Sequence, residues 1–108
     1  MAFLRSILQR INPARPRQSV ELHPVAQITV RYLLEFGARS VDDITKEVEA
    51  TRTIFADEMD ESLAHLVEAG LVEAITVDSE TRYAATRKAA ILRNRIPHDP
   101  RGVTEFYL

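Results

Sequence analysis

A chain of 108 residues, 45% of them hydrophobic and 28% charged, has the size and composition of one ordinary globular domain; with no cysteine it has no disulfide framework, thiolate metal site or cysteine nucleophile. No apolar run approaches the roughly 18 residues of a membrane span, and the N-terminus lacks the apolar stretch and cleavage site of a secretion signal, so a cytoplasmic protein is expected. The net charge of −2 conceals a polarity that bears on partners rather than on fold: residues 1–39 carry +4, residues 40–80 carry −10 and residues 81–108 carry +4.

Phe3, Leu4, Ile7, Leu8 and Ile11 follow helical spacing, with Arg5, Gln9 and Arg10 between them, which predicts a short amphipathic helix ending before Pro13. Residues 12–23 contain Pro13, Arg15, Pro16, Arg17 and Gln18 and read as an extended linker, because proline removes a donor and restricts its predecessor. Residues 1–23 are therefore expected to form an arm, residues 24–96 the domain and residues 97–108 a tail.

Pro24 is a good first helical residue. Val25, Ile28, Tyr32, Leu33 and Phe36 then mark one face of a helix, and Gly37 ends it. Ser40 caps a second helix, with Asp43 at the third position and Val41, Ile44 and Val48 as its buried stripe. Residues 50–53 are a break, with Thr51 or Thr53 as the next cap. Phe55, Met59, Leu63, Leu66 and Val67 line a third helix that ends at Gly70. Residues 71–77 are rich in branched side chains and predict a strand, residues 78–80 a turn, and residues 81–85 the return strand. Thr86 caps a fourth helix over residues 87–95, with Ala89, Leu92 and Ile96 pointing inward and Pro97 as its stop. The chain closes on the apolar Phe106, Tyr107 and Leu108.

The segment from Leu63 to Glu73, with His65, Glu68, Gly70, Leu71 and Val72, resembles the end of the third helix and the entry to the wing in bacterial winged-helix regulators such as the MarR-like, ArsR-like and PadR-like groups. The segment Arg82, Tyr83, Ala84, Ala85, Thr86, Arg87, Lys88, Ala89 is similar to the place where their second wing strand runs into the next helix. The resemblance spans about residues 24–96. It implies an α+β, mostly α, winged helix-turn-helix with a two-stranded wing, to which this chain adds the N-terminal amphipathic helix.

The resemblance also implies DNA reading through the exposed face near the start of the third helix. DNA-binding members place Ser, Thr, Arg, Lys, Asn or Gln there. This chain places Ala56, Asp57, Glu58, Asp60 and Glu61. Carboxylates can accept from a base amino group, but nonspecific affinity for duplex DNA comes from cations that displace counterions, and here the sign is reversed. Four additional residues, about one helical turn, also separate the second-helix stripe from Met59. The wing tip, Asp78-Ser79-Glu80, is acidic with only Arg82 nearby.

The leading expectation is thus a regulatory module acting by protein–protein interaction. Its contacts are the acidic face of Asp57, Glu58, Asp60 and Glu61 and the arm residues Phe3, Leu4, Ile7, Leu8 and Ile11. The alternative is a DNA-binding transcriptional regulator of the winged-helix type, using Arg15, Arg17, Arg52, Arg82, Arg87 and Lys88. The arm is expected to bury its stripe on protein, on a second copy of the chain in a homodimer or on its own domain; an anionic membrane surface is the weaker alternative. His23, His65 and His98 are scattered over three elements, with His65 on the exposed side of the third helix. There is no glycine-rich phosphate loop and no zinc or calcium spacing. No enzyme, no cofactor and no small-molecule substrate are expected.

Overall fold

The computed structural model describes residues 19–108. Along them run β1 (Ser19–Leu22), α1 (Pro24–Phe36), α2 (Val41–Glu49), α3 (Glu58–Glu68), β2 (Val72–Val77), β3 (Glu80–Ala85), α4 (Arg87–Ile91), a 3-10 turn (Arg93–Arg95) and β4 (Thr104–Tyr107). The predicted arm helix, with Phe3, Leu4, Ile7, Leu8 and Ile11, and the candidate contacts Arg15 and Arg17 lie outside the described residues.

Helix α1 is the hub. Pro24 occupies its first turn, and Gly37, at φ 84°, donates its N–H to the Leu33 carbonyl at 2.9 Å. It packs against β1, α2, α3, β3 and α4. Contact on so many sides widens its buried face beyond the single stripe expected. Val25, Ala26, Gln27, Thr29, Val30 and Leu33 are buried, whereas Ile28 and Tyr32 are only half-buried and Phe36 is 51% exposed. The two polar members of this face are satisfied. Thr29 donates to the Val25 carbonyl one turn back, at 2.8 Å. Gln27 Nε2 donates to the carbonyls of Leu22 and Gly102, at 2.6 and 2.8 Å, and its Oε1 accepts from the Thr104 hydroxyl at 3.2 Å.

These Gln27 bonds hold an element that the linker reading does not contain. Residues 19–22 form a strand paired antiparallel with β4, in the register Ser19↔Tyr107 to Leu22↔Thr104. The pair brings Val20, Leu22 and Phe106 into the core. The core therefore extends beyond residues 24–96 at both ends. Alternation places Ser19 and Glu21 outward and Val20 and Leu22 inward, as a half-buried strand requires.

Helix α2 follows its predicted start. Ser40 Oγ accepts from the Asp43 N–H at 3.3 Å, and Ile44 and Val48 are fully buried. Between β2 and β3 the hairpin turns on two residues, Asp78 (φ 51°) and Ser79 (φ 67°), with Val77 opposite Glu80. Two successive positive φ values match the right-handed twist of the flanking strands. Arg39 joins the base of this sheet: its N–H donates to the Tyr83 carbonyl at 2.9 Å, and its carbonyl accepts from the Tyr83 N–H at 2.8 Å. Thr86 caps α4, and Ala89, Leu92 and Ile96 are buried as expected; the helix tightens into the 3-10 turn after Ile91 rather than continuing to residue 95.

Candidate functional site

Helix α3 and the hairpin beside it form the surface on which the sequence places the contacts. The C-terminal end of α3 is fixed by backbone geometry. The Leu71 N–H donates to the Leu66 carbonyl and the Gly70 N–H to the Val67 carbonyl, both at 3.0 Å, with Gly70 at φ 79°. This is a Schellman closure, and Leu66 and Leu71, the pair that it brings together, are both fully buried. Thr86 Oγ1 donates to the Gly70 carbonyl at 2.6 Å, and Lys88 Nζ donates to the Ala69 carbonyl at 3.2 Å. A cation at a helix C-terminus lies where the helix dipole favours it.

The N-terminal end starts later than apolar spacing implies. Phe55 is in the loop and 73% exposed; Asp57 is the cap residue, left-handed at φ 66° and without a side-chain bond to the helix. Neither Thr51 nor Thr53 caps it. Glu58 does the local work: its N–H donates to the Phe55 carbonyl, and its Oε1 accepts from the Phe55 N–H, both at 3.1 Å. The four additional residues between the α2 stripe and Met59 are taken up by this loop rather than by a longer helix.

Met59, Leu63 and Leu66 face the core, while Val67, expected inside, is 42% exposed. Asp57, Asp60 and Glu61 are exposed and Glu58 is half-buried. The four carboxylates therefore gather on the first turn of α3 and the residue before it, but they do not all look the same way. Glu58 and Glu61 line a cleft of about 330 Å³ together with His23, Ala26, Ser62 and His65. His65 is half-buried rather than on an open face, and its Nε2 donates to the Glu21 carbonyl of β1 at 2.8 Å. Among the described residues, no group of three or more His, Asp or Glu could hold a metal ion.

The candidate cations are distributed over three elements. Arg52 is exposed in the loop between α2 and α3. Arg82 lies on β3, 3.7 Å from Glu80 across Nε and Oε1, with its side chain 37% exposed. Arg87 and Lys88 open α4, and Lys88 is engaged on α3. Sequence reasoning missed Arg39, at the base of the wing beside the start of α2. The Nε atoms of Arg39 and Arg82 are both buried without a hydrogen-bond partner. It also missed the structural use of Arg31, which donates to the Ile96 and Arg93 carbonyls at 2.6 and 3.3 Å and to His98 Nε2 at 2.9 Å, and of Arg93, which donates to the Leu34 carbonyl at 2.8 Å. Part of the basic C-terminal segment thus closes the domain on itself. No helix among the described residues is long and apolar enough to cross a membrane.

No family model matches the chain, and no curated protein does. Two solved structures resemble it. The crystal structure of the transcriptional repressor BigR from Xylella fastidiosa is 25% identical, with a TM-score of 0.58 over 87% of this chain and 79% of that one. The crystal structure of SSV1 F-93 is 19% identical, with a TM-score of 0.62 over 73% of this chain and 88% of that one. The fold is a winged helix: α1 to α3, the β2–β3 wing and α4 are its parts.

Proposed function

We propose that this winged helix is a transcriptional regulator that acts by binding duplex DNA, without catalysis. One observation carries the reading: the likeness to a transcriptional repressor extends over 87% of the chain. On this reading α3 enters the major groove and the wing lies along the backbone. The acidic first turn then has a specific consequence. Asp57, Glu58, Asp60 and Glu61 can accept from cytosine amino groups at base edges, but they repel phosphates. Phosphate contact falls instead to cations outside that turn: Arg52 in the loop before it, Arg39 and Arg82 at the wing, Arg87 at the start of α4, and Arg15 and Arg17 of the arm. Such a protein discriminates by base contacts and holds random DNA poorly.

The test is selection from a randomised duplex pool, followed by titration of the enriched site against a scrambled one. Enrichment of a defined site, with weak binding to the scrambled duplex and a shallow salt slope, is the expected result. No enrichment, and no binding even at about 50 mM salt where electrostatic affinity is strongest, overturns the DNA reading.

A specific observation favours a second reading. Between residues 40 and 80 only Lys46 and Arg52 stand against twelve acids, and a surface of that sign complements a basic protein partner. On this reading α3 is a docking face, and exchanging Asp57, Glu58, Asp60 and Glu61 for Asn or Gln abolishes partner capture. On the DNA reading the same exchange instead abolishes preference for the enriched site over the scrambled one, so the two readings separate in one set of variants.

A further inference from the structure

The first eleven residues hold Phe3, Leu4, Ile7, Leu8 and Ile11 together with Arg5 and Arg10, and the first acidic residue of the chain is Glu21. One side of α1 offers the complement of that pattern. Ile28, Tyr32 and Phe36 succeed one another at four-residue spacing and so share one face of the helix. Ile28 and Tyr32 are half-buried and Phe36 is 51% exposed, with the Tyr32 and Phe36 ring centroids 5.3 Å apart. Beside this ridge runs a groove of about 150 Å³ whose walls include Glu35, Glu47 and Asp99. Its cation, Arg31, is already engaged on Ile96, Arg93 and His98. The surface is therefore an apolar ridge edged by three carboxylates.

We propose that residues 3–11 of the same chain dock in this groove, with their apolar stripe on Ile28, Tyr32 and Phe36 and with Arg5 and Arg10 against Glu35, Glu47 and Asp99. Length permits it. Residues 12–18 span roughly 23 Å when extended, at about 3.3 Å each, which exceeds the about 20 Å length of α1, and α1 contacts β1, the strand that follows the tether. A tether this short holds the arm at an effective concentration on the order of millimolar, which favours the chain's own groove over that of a second copy. The site is independent of whether α3 binds DNA or protein.

The absence of cysteine makes the test clean. In the full chain, Gln9→Cys on the arm is combined with Thr51→Cys, an exposed position on the rim of the groove; in a second variant Gln9→Cys is combined with Thr76→Cys, exposed on the wing. Under mild oxidation the groove pair is expected to close an intramolecular disulfide about tenfold faster than the wing pair. Adding Phe36→Asp, tolerated because that side chain is 51% exposed and outside the core, is expected to reduce the groove pair to the rate of the wing pair while far-UV circular dichroism stays unchanged. Equal rates at the two sites, or indifference to Phe36→Asp, overturn the proposal. Disulfide-linked dimers also overturn it, by assigning the arm to a second copy.

Discussion

The two ends of α3 are built by opposite rules. At its C-terminus the carbonyls of Leu66 and Val67 are met by the Leu71 and Gly70 amides, and those of Ala69 and Gly70, just past the helix, by Lys88 and by Thr86 beyond the next hairpin. Leu66 and Leu71 seal that end in the core. At its N-terminus the chain is held by a single reciprocal pair, Phe55 and Glu58, in a loop whose large apolar residue stands in water. Such an arrangement separates tasks. One end fixes the helix to the wing, and the other is free to vary its surface chemistry without cost to the fold, as functional residues on a rigid scaffold commonly are.

That contrast is open to graded attack. Its largest break is Leu66→Ala, which removes a fully buried side chain at the anchored end and should cost roughly 2–5 kcal/mol in urea or thermal unfolding. Gly70→Ala forces a Cβ into a left-handed position at φ 79° and should cost about 1–2 kcal/mol. The space around Gly70 is adequate, the nearest atom being Lys88 Nζ at 3.6 Å, so strain rather than collision sets that figure. Thr86→Val keeps the shape but deletes both the cap of α4 and the bond to the Gly70 carbonyl, for about 1 kcal/mol. At the other end, Asp57→Gly relieves a left-handed non-glycine residue, Asp60→Asn changes an exposed side chain, and Glu61→Gln changes an exposed one on the wall of the His65 cleft. Each should leave stability within about 0.5 kcal/mol while altering what the helix binds. A cost at Asp57 equal to that at Gly70 would erase the distinction between the two ends.

How much of this was legible in advance follows the range of the interactions. Ser40, Gly70 and Thr86 act within a few residues of themselves, and each was readable as a cap or a stop. Met59, Leu63 and Leu66 repeat with the helix and were readable as its inner face. Periodicity, however, gives a face and not a starting point: Phe55 lies in step with Met59 and Leu63, yet the backbone reverses at Asp57 before it could join them. Strands β1 and β4 were missed for a different reason. Four alternating residues mean little alone, and the partner that makes Ser19–Leu22 a strand lies more than eighty residues away. Gln27 was invisible on the same ground, since both carbonyls to which it donates belong to segments without periodic signal. Of the candidate site, the acidic face was legible residue by residue. Its division between open solvent and the His65 cleft was not, because that depends on how β1 lies against α3.

The pairing of β1 with β4 also decides where the described domain begins and ends in space. Ser19 lies directly opposite Tyr107, and Gln27 fastens both segments to the same turn of α1. The fold is in effect a loop whose two loose threads are knotted at one point. In a chain trimmed to residues 19–108, a short glycine-rich bridge from residue 108 back to residue 19 should therefore close a ring without disturbing the fold, and new ends opened between Asp78 and Ser79 should leave a circular permutant with the same winged helix. Anything attached before residue 19 or after residue 108 emerges from that one edge, so a pull on the chain before residue 19 is delivered to β4 as directly as to β1.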